Sequence, residues 1–379
     1  MPSQYDISVV ISTYNRSGML AAALDSVLAQ ESRGVRYEVI VVDNHSTDDT
    51  REVVARRIEQ SHPDLRYVFE PKQGVAHARN TGVMHATAPI IAFTDDDVRA
   101  AKDWVANIKH EFDLHPEADY LGGKILPRWP VAPPAWLTRD HWWALALLDC
   151  GNEPFHVDAD NPLCLPTANA AFRRDVFARF GLFSPDFSGR EDHEFLLRLW
   201  CGSSRGLYAP SVVAMADVQP ERLSKEYHRR WNTTTGKFNS MMRLNEITGP
   251  DGRIISEPAG AVMLFGVPGF VYRDLLVNSF AWAGETLLLR KDAAMRRKNQ
   301  AWYFVGYISK RYEQYAAQRR HSDLSEIVRF TRALLRKKLS RGRRSSQTAA
   351  RDLNKPVDTG GPYDQDRDRP APRVRAACR

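Results

Sequence analysis

Apolar and polar positions fall into regular blocks along the first hundred residues. Ile7-Ser8-Val9-Val10-Ile11 reads as a buried strand, and residues 19–30 carry Leu20, Leu24, Val27 and Leu28 at helical spacing. Residues 37–42 form a second strand with a fully apolar end, which predicts a central place in a sheet. Ser46-Thr47-Asp48-Asp49 then supplies capping side chains for a helix running to about Gln60. A third strand (65–69), a third helix (74–86) and a fourth strand (89–93) follow. Strand and helix in turn predict an α/β fold: a Rossmann-like, mostly parallel sheet flanked by helices.

Ligands of such sheets bind beyond the carboxyl ends of the strands, and these ends are polar. Ser12-Thr13-Tyr14-Asn15-Arg16 follows the first strand, Asp43-Asn44-His45-Ser46 the second and Thr94-Asp95-Asp96-Asp97 the fourth. Neither GxGxxG in the first turn nor GxxxxGK[ST] occurs, which argues against a dinucleotide oxidoreductase and a P-loop NTPase. Three successive carboxylates repel one another unless a cation relieves them. Oxygen ligands at a sheet mouth suit Mg²⁺ or Mn²⁺ completed by substrate phosphates; the alternative is a solvated acidic turn capping the next helix. Asp43 suits either ligand binding or an Asx turn, and Arg79 either a phosphate or a surface ion pair.

Together these segments resemble the family 2 glycosyltransferases, whose fold is called GT-A. The resemblance rests on Val10 to Arg16, Val41 to Asp48, Gly74 to Gly82 and Phe93 to Asp97, in the family's order and spacing. His45 departs from the Gly more usual there, at a position where positive φ favours glycine. The resemblance implies that Asp43 hydrogen-bonds the nucleobase of a nucleotide diphosphate sugar beside Thr13 and Tyr14, with Arg16 and Asp96 part of the same nucleotide-sugar site. It implies that Asp95 lies near ribose and metal, that Asp97 ligates a divalent cation, Mg or Mn, and that Arg79 lies near the phosphates.

Further on, Pro166 to Arg173 and Gly189-Arg190-Glu191-Asp192-His193-Glu194-Phe195 look like the family's second half, in which Asp192 takes the place of the catalytic base. An acceptor hydroxyl must lose its proton as it attacks the anomeric carbon, and one base opposite the leaving diphosphate gives inversion. The alternative is that Glu191, Asp192 and Glu194 serve the helix dipole. Asn169 and Glu191 are candidates for acceptor or phosphate contact. His228-Arg229-Arg230-Trp231 resembles a weakened QxxRW element, without the Gln, and adds Arg230 and Trp231 to the same candidates. A Trp- and Pro-rich stretch over 129–143 suits sugar stacking, a lipid interface or core packing.

Composition changes the picture mainly at the C-terminal end. The chain has 379 residues and a formal net charge of +7, but residues 290–379 hold 24 basic against 9 acidic side chains, and the rest 29 against 37. A basic end suits an anionic membrane surface or nucleic acid, or is merely solvated; no nucleic-acid partner is expected. Residues 259–271 are apolar but too short to span a bilayer, which needs about 20 residues. With 275–289 they suggest an interfacial or re-entrant hairpin. Ala301-Trp302-Tyr303-Phe304-Val305-Gly306-Tyr307-Ile308 would add interfacial aromatics, unless these form a buried helical subdomain. MPSQYD has neither a charged n-region nor an apolar h-region.

The expectation is therefore a glycosyltransferase domain over 1–250, with a nucleotide-sugar half (1–120) and an acceptor half (121–250). A helical, membrane-associated region (251–338) and a basic disordered tail (339–379) would follow. Such a protein would be an inverting, metal-dependent enzyme of polysaccharide or glycolipid biosynthesis. It would be cytoplasmic, held peripherally at the inner face of the plasma membrane, and act on an acceptor glycan or glycolipid. Rival readings are a nucleotidyltransferase on a related fold, which would want a Gly-rich basic loop after the first strand, and a basic-tailed binding protein with a vestigial sugar site.

Overall fold

A computed structural model describes residues 3–60, 64–187, 189–241, 247–248, 254–255, 262–317, 325–334 and 336. The tail expected over 339–379 lies outside the described residues. Strands and helices alternate as β1 (Ile7–Thr13), α1 (Ser17–Leu28), β2 (Tyr37–Asp43), α2 (Thr50–Glu59), β3 (Leu65–Phe69), α3 (Val75–His85) and β4 (Ile90–Asp95). Then come β5 (Val98–Ala100), α4 (Trp104–Leu114), β6 (Tyr120–Arg128), β7 (Phe155–Val157), β8 (Asn169–Arg173), α5 (Asp175–Phe180), α6 (Glu191–Cys201) and β9 (Gly206–Asp217). They build one nine-stranded sheet in the order β3-β2-β1-β4-β8-β6-β9-β5, with β7 paired to β9.

The β3-β2-β1-β4 half is parallel, and its alternation sorts side chains to two layers. Val10, Ile40, Val42, Ile91 and Phe93 face one core, while Ile7, Val9, Ile11, Val39, Val41, Ile90 and Ala92 face the other. Burial on both faces is why these strands read as continuous apolar runs. The chain runs from β1 outward to β3 and then returns to place β4 on the other side of β1. This creates a topological switch point between β1 and β4, where sheets of this kind open a crevice. Register sets Thr13 beside Asp43 and Ser12 beside Asp95 at its mouth.

The other half is mixed: β8 is antiparallel to β4 and to β6, whereas β6 and β9 are parallel. Three strands separate β4 from β5 across the sheet, yet Asp96 and Asp97 alone join them along the chain. The sheet must therefore curl, bringing the end of β9 to the Asp95-Asp96-Asp97 turn. The Asp217 amide donates to the Asp97 carbonyl at 2.8 Å.

After β9 come α7 (Lys225–Met241), short pairings of β10 (Ile247–Thr248) with β11 (Ile254–Ile255) and of β12 (Met263–Leu264) with β13 (Val267–Pro268), α8 (Gly269–Leu287) and α9 (Lys291–Ala317). Helices α7 and α9 approach backbone to backbone: a Cβ at Gly306 would overlap the Thr233 carbonyl, and one at Gly236 the Tyr303 carbonyl. Tyr303, Phe304 and Tyr307 are buried with Val267 and Val271, so these aromatics serve internal packing rather than the interface expected of them. From Gly269 the chain continues as one helix instead of a hairpin of two short segments. Among the described residues no helix is long and apolar enough to cross a membrane.

Candidate active site

A cleft of about 620 Å³ opens at the switch point. Its floor comes from the ends of β1 and β4, and its walls from the start of α3, the start of α6, the loop after β9 and α7. Thr13, Tyr14, Arg16, Arg79, Asp95, Asp96, Asp97, Glu191, Asp192 and Trp231 all line it. The sequence candidates thus converge from segments more than a hundred residues apart.

The loops that carry them are stitched together. Asn15 accepts from the Thr47 amide (2.7 Å) and its own amide donates to Ser46 (2.9 Å), while the Ser17 amide donates to Asp48 (2.9 Å). Asn44 receives the Gly74 amide at 2.8 Å and donates to the Lys72 carbonyl at 2.7 Å, which fixes the start of α3. His45 has φ +68°, the left-handed conformation in which a non-glycine residue is strained. Its ring packs edge-on against Phe69.

Each carboxylate has a distinct environment. Asp96 is turned to β1, accepting from Thr13 Oγ1 at 2.8 Å and from Arg16 at 3.1 Å. Burial, with Asp97 and Asp95 adding to it against the pull of Arg16, pushes its carboxyl up to about 6. Asp97 Oδ2 accepts from Gln219 (2.8 Å), Arg222 (3.1 Å) and Arg16 (3.4 Å). Burial also raises the Asp97 carboxyl, opposed mainly by Arg222. All these contacts use Oδ2, and Asp95 is held through Oδ1 by Arg79 at 3.0 Å. Asp97 Oδ1 and Asp95 Oδ2 keep no hydrogen bond among the described residues. Two spare carboxylate oxygens, two residues apart at the sheet mouth, fit a hard divalent cation.

Arg79 is a clamp. Its guanidinium pairs with Asp95 on β4 and with Glu191 at the start of α6, so it ties α6 to the end of β4. Those two ion pairs occupy the group expected near phosphates. Glu191 also accepts the Gly189 amide at 2.6 Å, and burial, ahead of the opposing Arg79, raises its carboxyl. Asp192, beside it, takes only the His193 amide on Oδ1 (2.7 Å) among the described residues and faces the cleft.

Three candidates stand elsewhere. Asn169 is buried away from the cleft, its amide spent on Trp104 Nε1 (2.7 Å) and on the Lys124 and Val212 carbonyls (2.9 Å each), where it pins β6, β8 and β9. Its motif contributes Thr167 instead, whose Oγ1, like that of Ser12, is buried at the cleft without a partner among the described residues. Asp43 lies at the end of β2 with both oxygens engaged, by the Ser46 amide (2.8 Å) and the Tyr67 hydroxyl (2.6 Å), and its neighbour Asn44 lines the cleft. Arg230 lines a side pocket rather than the cleft.

Gln219 and Arg222 were missed. They follow β9 just as the quoted polar motifs follow β1, β2 and β4, and the same strand-end reasoning applied to that strand finds them. Apart from the cleft, His115, Glu117 and His156 bring ligand atoms within 4.8 Å of one another; none of them lines the cleft.

Residues 8–181 match the family model described as Glycosyl transferase family 2. The chain is 24% identical over 192 residues to a glucosyl-dolichyl phosphate glucuronosyltransferase of Haloferax volcanii, covering 49% of this chain and 58% of that protein. It is 26% identical over 260 residues to the succinoglycan biosynthesis protein ExoM of Rhizobium meliloti, covering 66% and 79%. Relatives at 40% identity, among them a validoxylamine A glucosyltransferase of Streptomyces hygroscopicus, are matched over 22–28% of their length. In fold, the chain resembles a mannosyltransferase of Pyrobaculum calidifontis in complex with GDP-Man and Mn²⁺, at TM-score 0.55 and 21% identity, over 83% of this chain and 90% of that one. Over residues 8–181, a little under half of its length, the chain is thus similar to glycosyl transferase family 2, and the architecture around them resembles that of the Pyrobaculum mannosyltransferase.

Proposed function

We propose that this protein moves a sugar from a nucleoside diphosphate donor to an acceptor hydroxyl, with inversion at the anomeric carbon. The observation that carries this reading is one cleft holding the free oxygens of Asp95 and Asp97 at its floor and Asp192 on a wall. The nucleobase would lie along Thr13 and Tyr14 beside Asn44, Tyr14 being 46% exposed and free to stack. Asp95 and Asp97 would hold a divalent cation, Mg²⁺ or Mn²⁺, and the chemistry it supplies when bound is neutralisation of charge on the leaving diphosphate. Arg16 and Arg222 flank that position and add positive charge. Asp192 would accept the proton of the attacking hydroxyl. Arg79 would act through Glu191 and Asp95, as a positioning residue that holds α6 against β4. The Haloferax and Rhizobium relatives, by their names, concern a lipid-linked sugar and a polysaccharide, which supports a lipid-linked or polysaccharide acceptor here.

A membrane-side location draws support from α8. Leu276, Phe280 and Leu287 share one face, and exposed Leu288 and Leu289 follow at its end; Phe280 is 74% and Leu289 82% exposed. Exposed Arg273, Arg290 and Lys291 flank this surface, the arrangement of an interfacial helix on an anionic leaflet.

The test of the transfer reading is a thermal-shift screen of nucleoside diphosphate sugars with and without Mn²⁺. Stabilisation that needs both the metal and one nucleotide, and is lost in Asp97→Asn, supports it. Stabilisation indifferent to metal and unchanged in Asp97→Asn removes the donor assignment.

A further inference from the structure

Next to the cleft lies a second pocket, of about 270 Å³, formed where α7 passes the start of α6. We propose that it seats an anionic group, phosphate or carboxylate, carried by the acceptor about one sugar unit from the reacting hydroxyl. This deepens the transfer reading above and rests on it.

The lining is Gly189, Arg190, Tyr227, Arg230, Trp231, Thr234 and Thr235. It includes two guanidinium groups and no carboxylate, whereas the adjoining cleft contains five carboxylates. The two spaces share Gly189, Tyr227 and Trp231, and Arg190 stands two residues before Asp192. A group seated here would therefore belong to the same ligand that meets the base.

Arg190 is the main argument. It is 6% exposed, sits over the Trp231 ring at 4.3 Å and near the Trp143 ring at 5.8 Å, and donates to the neutral hydroxyl of Thr235. Among the described residues no ion pair holds it; Asp192 and Glu191 act on it only through space, and burial lowers its proton affinity. A buried guanidinium without a bonded anion is costly, and an incoming anion that accepts its hydrogen bonds recovers that cost. Arg230 is its exposed counterpart and forms no ion pair or hydrogen bond among the described residues. Tyr227, Arg230, Trp231 and Thr234 recur at helical spacing, so one stripe of α7 presents aromatic rings, a cation and a hydroxyl to this space. Two planar guanidinium groups beside a ring suit a charged sugar, stacked and held in a fork. The volume lies just below the roughly 300–1,000 Å³ of pockets for whole small ligands, which suits one charged unit rather than a second nucleotide.

The test uses the full chain and three probes followed by calorimetric titration: glycerol 1-phosphate, methyl glucuronide and methyl glucoside. Binding of UDP or GDP with Mn²⁺ is measured separately on the same samples. At least one anionic probe is expected to bind tenfold or more tightly than the neutral glucoside. Arg230→Gln, an exposed substitution whose fold is checked by melting, should lose about that factor while nucleotide binding stays as in the wild type. The tighter of the two anions then tells a phosphate-bearing acceptor from a uronic acid. Equal binding of neutral and anionic probes, no binding of either anion at millimolar concentration, or full anion affinity in Arg230→Gln overturns the proposal. Loss of nucleotide binding in every sample, with the anion result intact, would instead count against the donor reading.

Discussion

Removing Arg79 while leaving Glu191 in place is the sharpest perturbation of the clamp. The two side chains are 7% and 3% exposed, so Arg79→Gln would strand a buried carboxylate behind α6. A unit-charge pair about 4 Å apart is worth about 4 kcal/mol at an effective dielectric of 20, and breaking a buried pair from one side typically costs about 3–5 kcal/mol. Asp95, 32% exposed, is rehydrated on loss of its partner and adds little. Arg79→Gln should therefore lower unfolding free energy by about 3–5 kcal/mol in urea titrations at pH 7. Glu191→Gln leaves Arg79 with Asp95 and should cost less. The double variant should be more stable than the sum of the single losses predicts, by at least about 1 kcal/mol, because neither charge is then stranded. A cost below about 1 kcal/mol for Arg79→Gln, or strict additivity in the cycle, would refute the claim that this pair holds α6 to the end of β4.

Other outcomes are open to measurement. Asp192→Asn should reduce kcat by about 10²–10⁴-fold with nucleotide binding retained, and unchanged turnover would dismiss it as the base. His228 is buried, and burial followed by nearby His141 lowers its pKa to about 4. Between about pH 6.5 and 4 the unfolded chain binds a proton that the folded chain does not, so stability falls with pH across that window. The loss should be about 2 kcal/mol between pH 7 and pH 5, and His228→Gln should flatten this part of the urea-midpoint profile. Gly306→Ala should cost about 2 kcal/mol or more by overpacking α9 on α7, read as a lower melting temperature. Phe280→Asp should weaken co-sedimentation with phosphatidylglycerol vesicles tenfold or more, since burying a Phe is worth about 1.5–3 kcal/mol; equal binding would remove α8 from the membrane surface.

The division between sequence and structure is clearest in the carboxylates. Periodicity within windows of five to fifteen residues suffices for the strands and helices through β4. Polar residues directly after apolar strands mark the cleft, because parallel strands align their carboxyl ends. Those signals are local, and they were legible. Which polar residue faces substrate was not. Asn169 and Thr167 stand two residues apart in one motif, yet the first is consumed by Trp104 and two carbonyls and the second is left at the cleft. Nothing in their spacing distinguishes them, since the difference lies in what α4, β6 and β9 bring alongside.

Sequence alone thus determined the α/β class, the likeness to family 2 over residues 8–181 and the carboxylate turn at the end of β4. Tertiary structure alone decided that Glu191 neutralises Arg79 across 112 residues, that Arg222 reaches Asp97 across 125, and that Arg190 lies buried between tryptophans without an ionic partner among the described residues. The reason is physical. Backbone periodicity is set by neighbours in the chain, whereas the state of a charge depends on how far water is excluded and which opposite charge the curled sheet delivers.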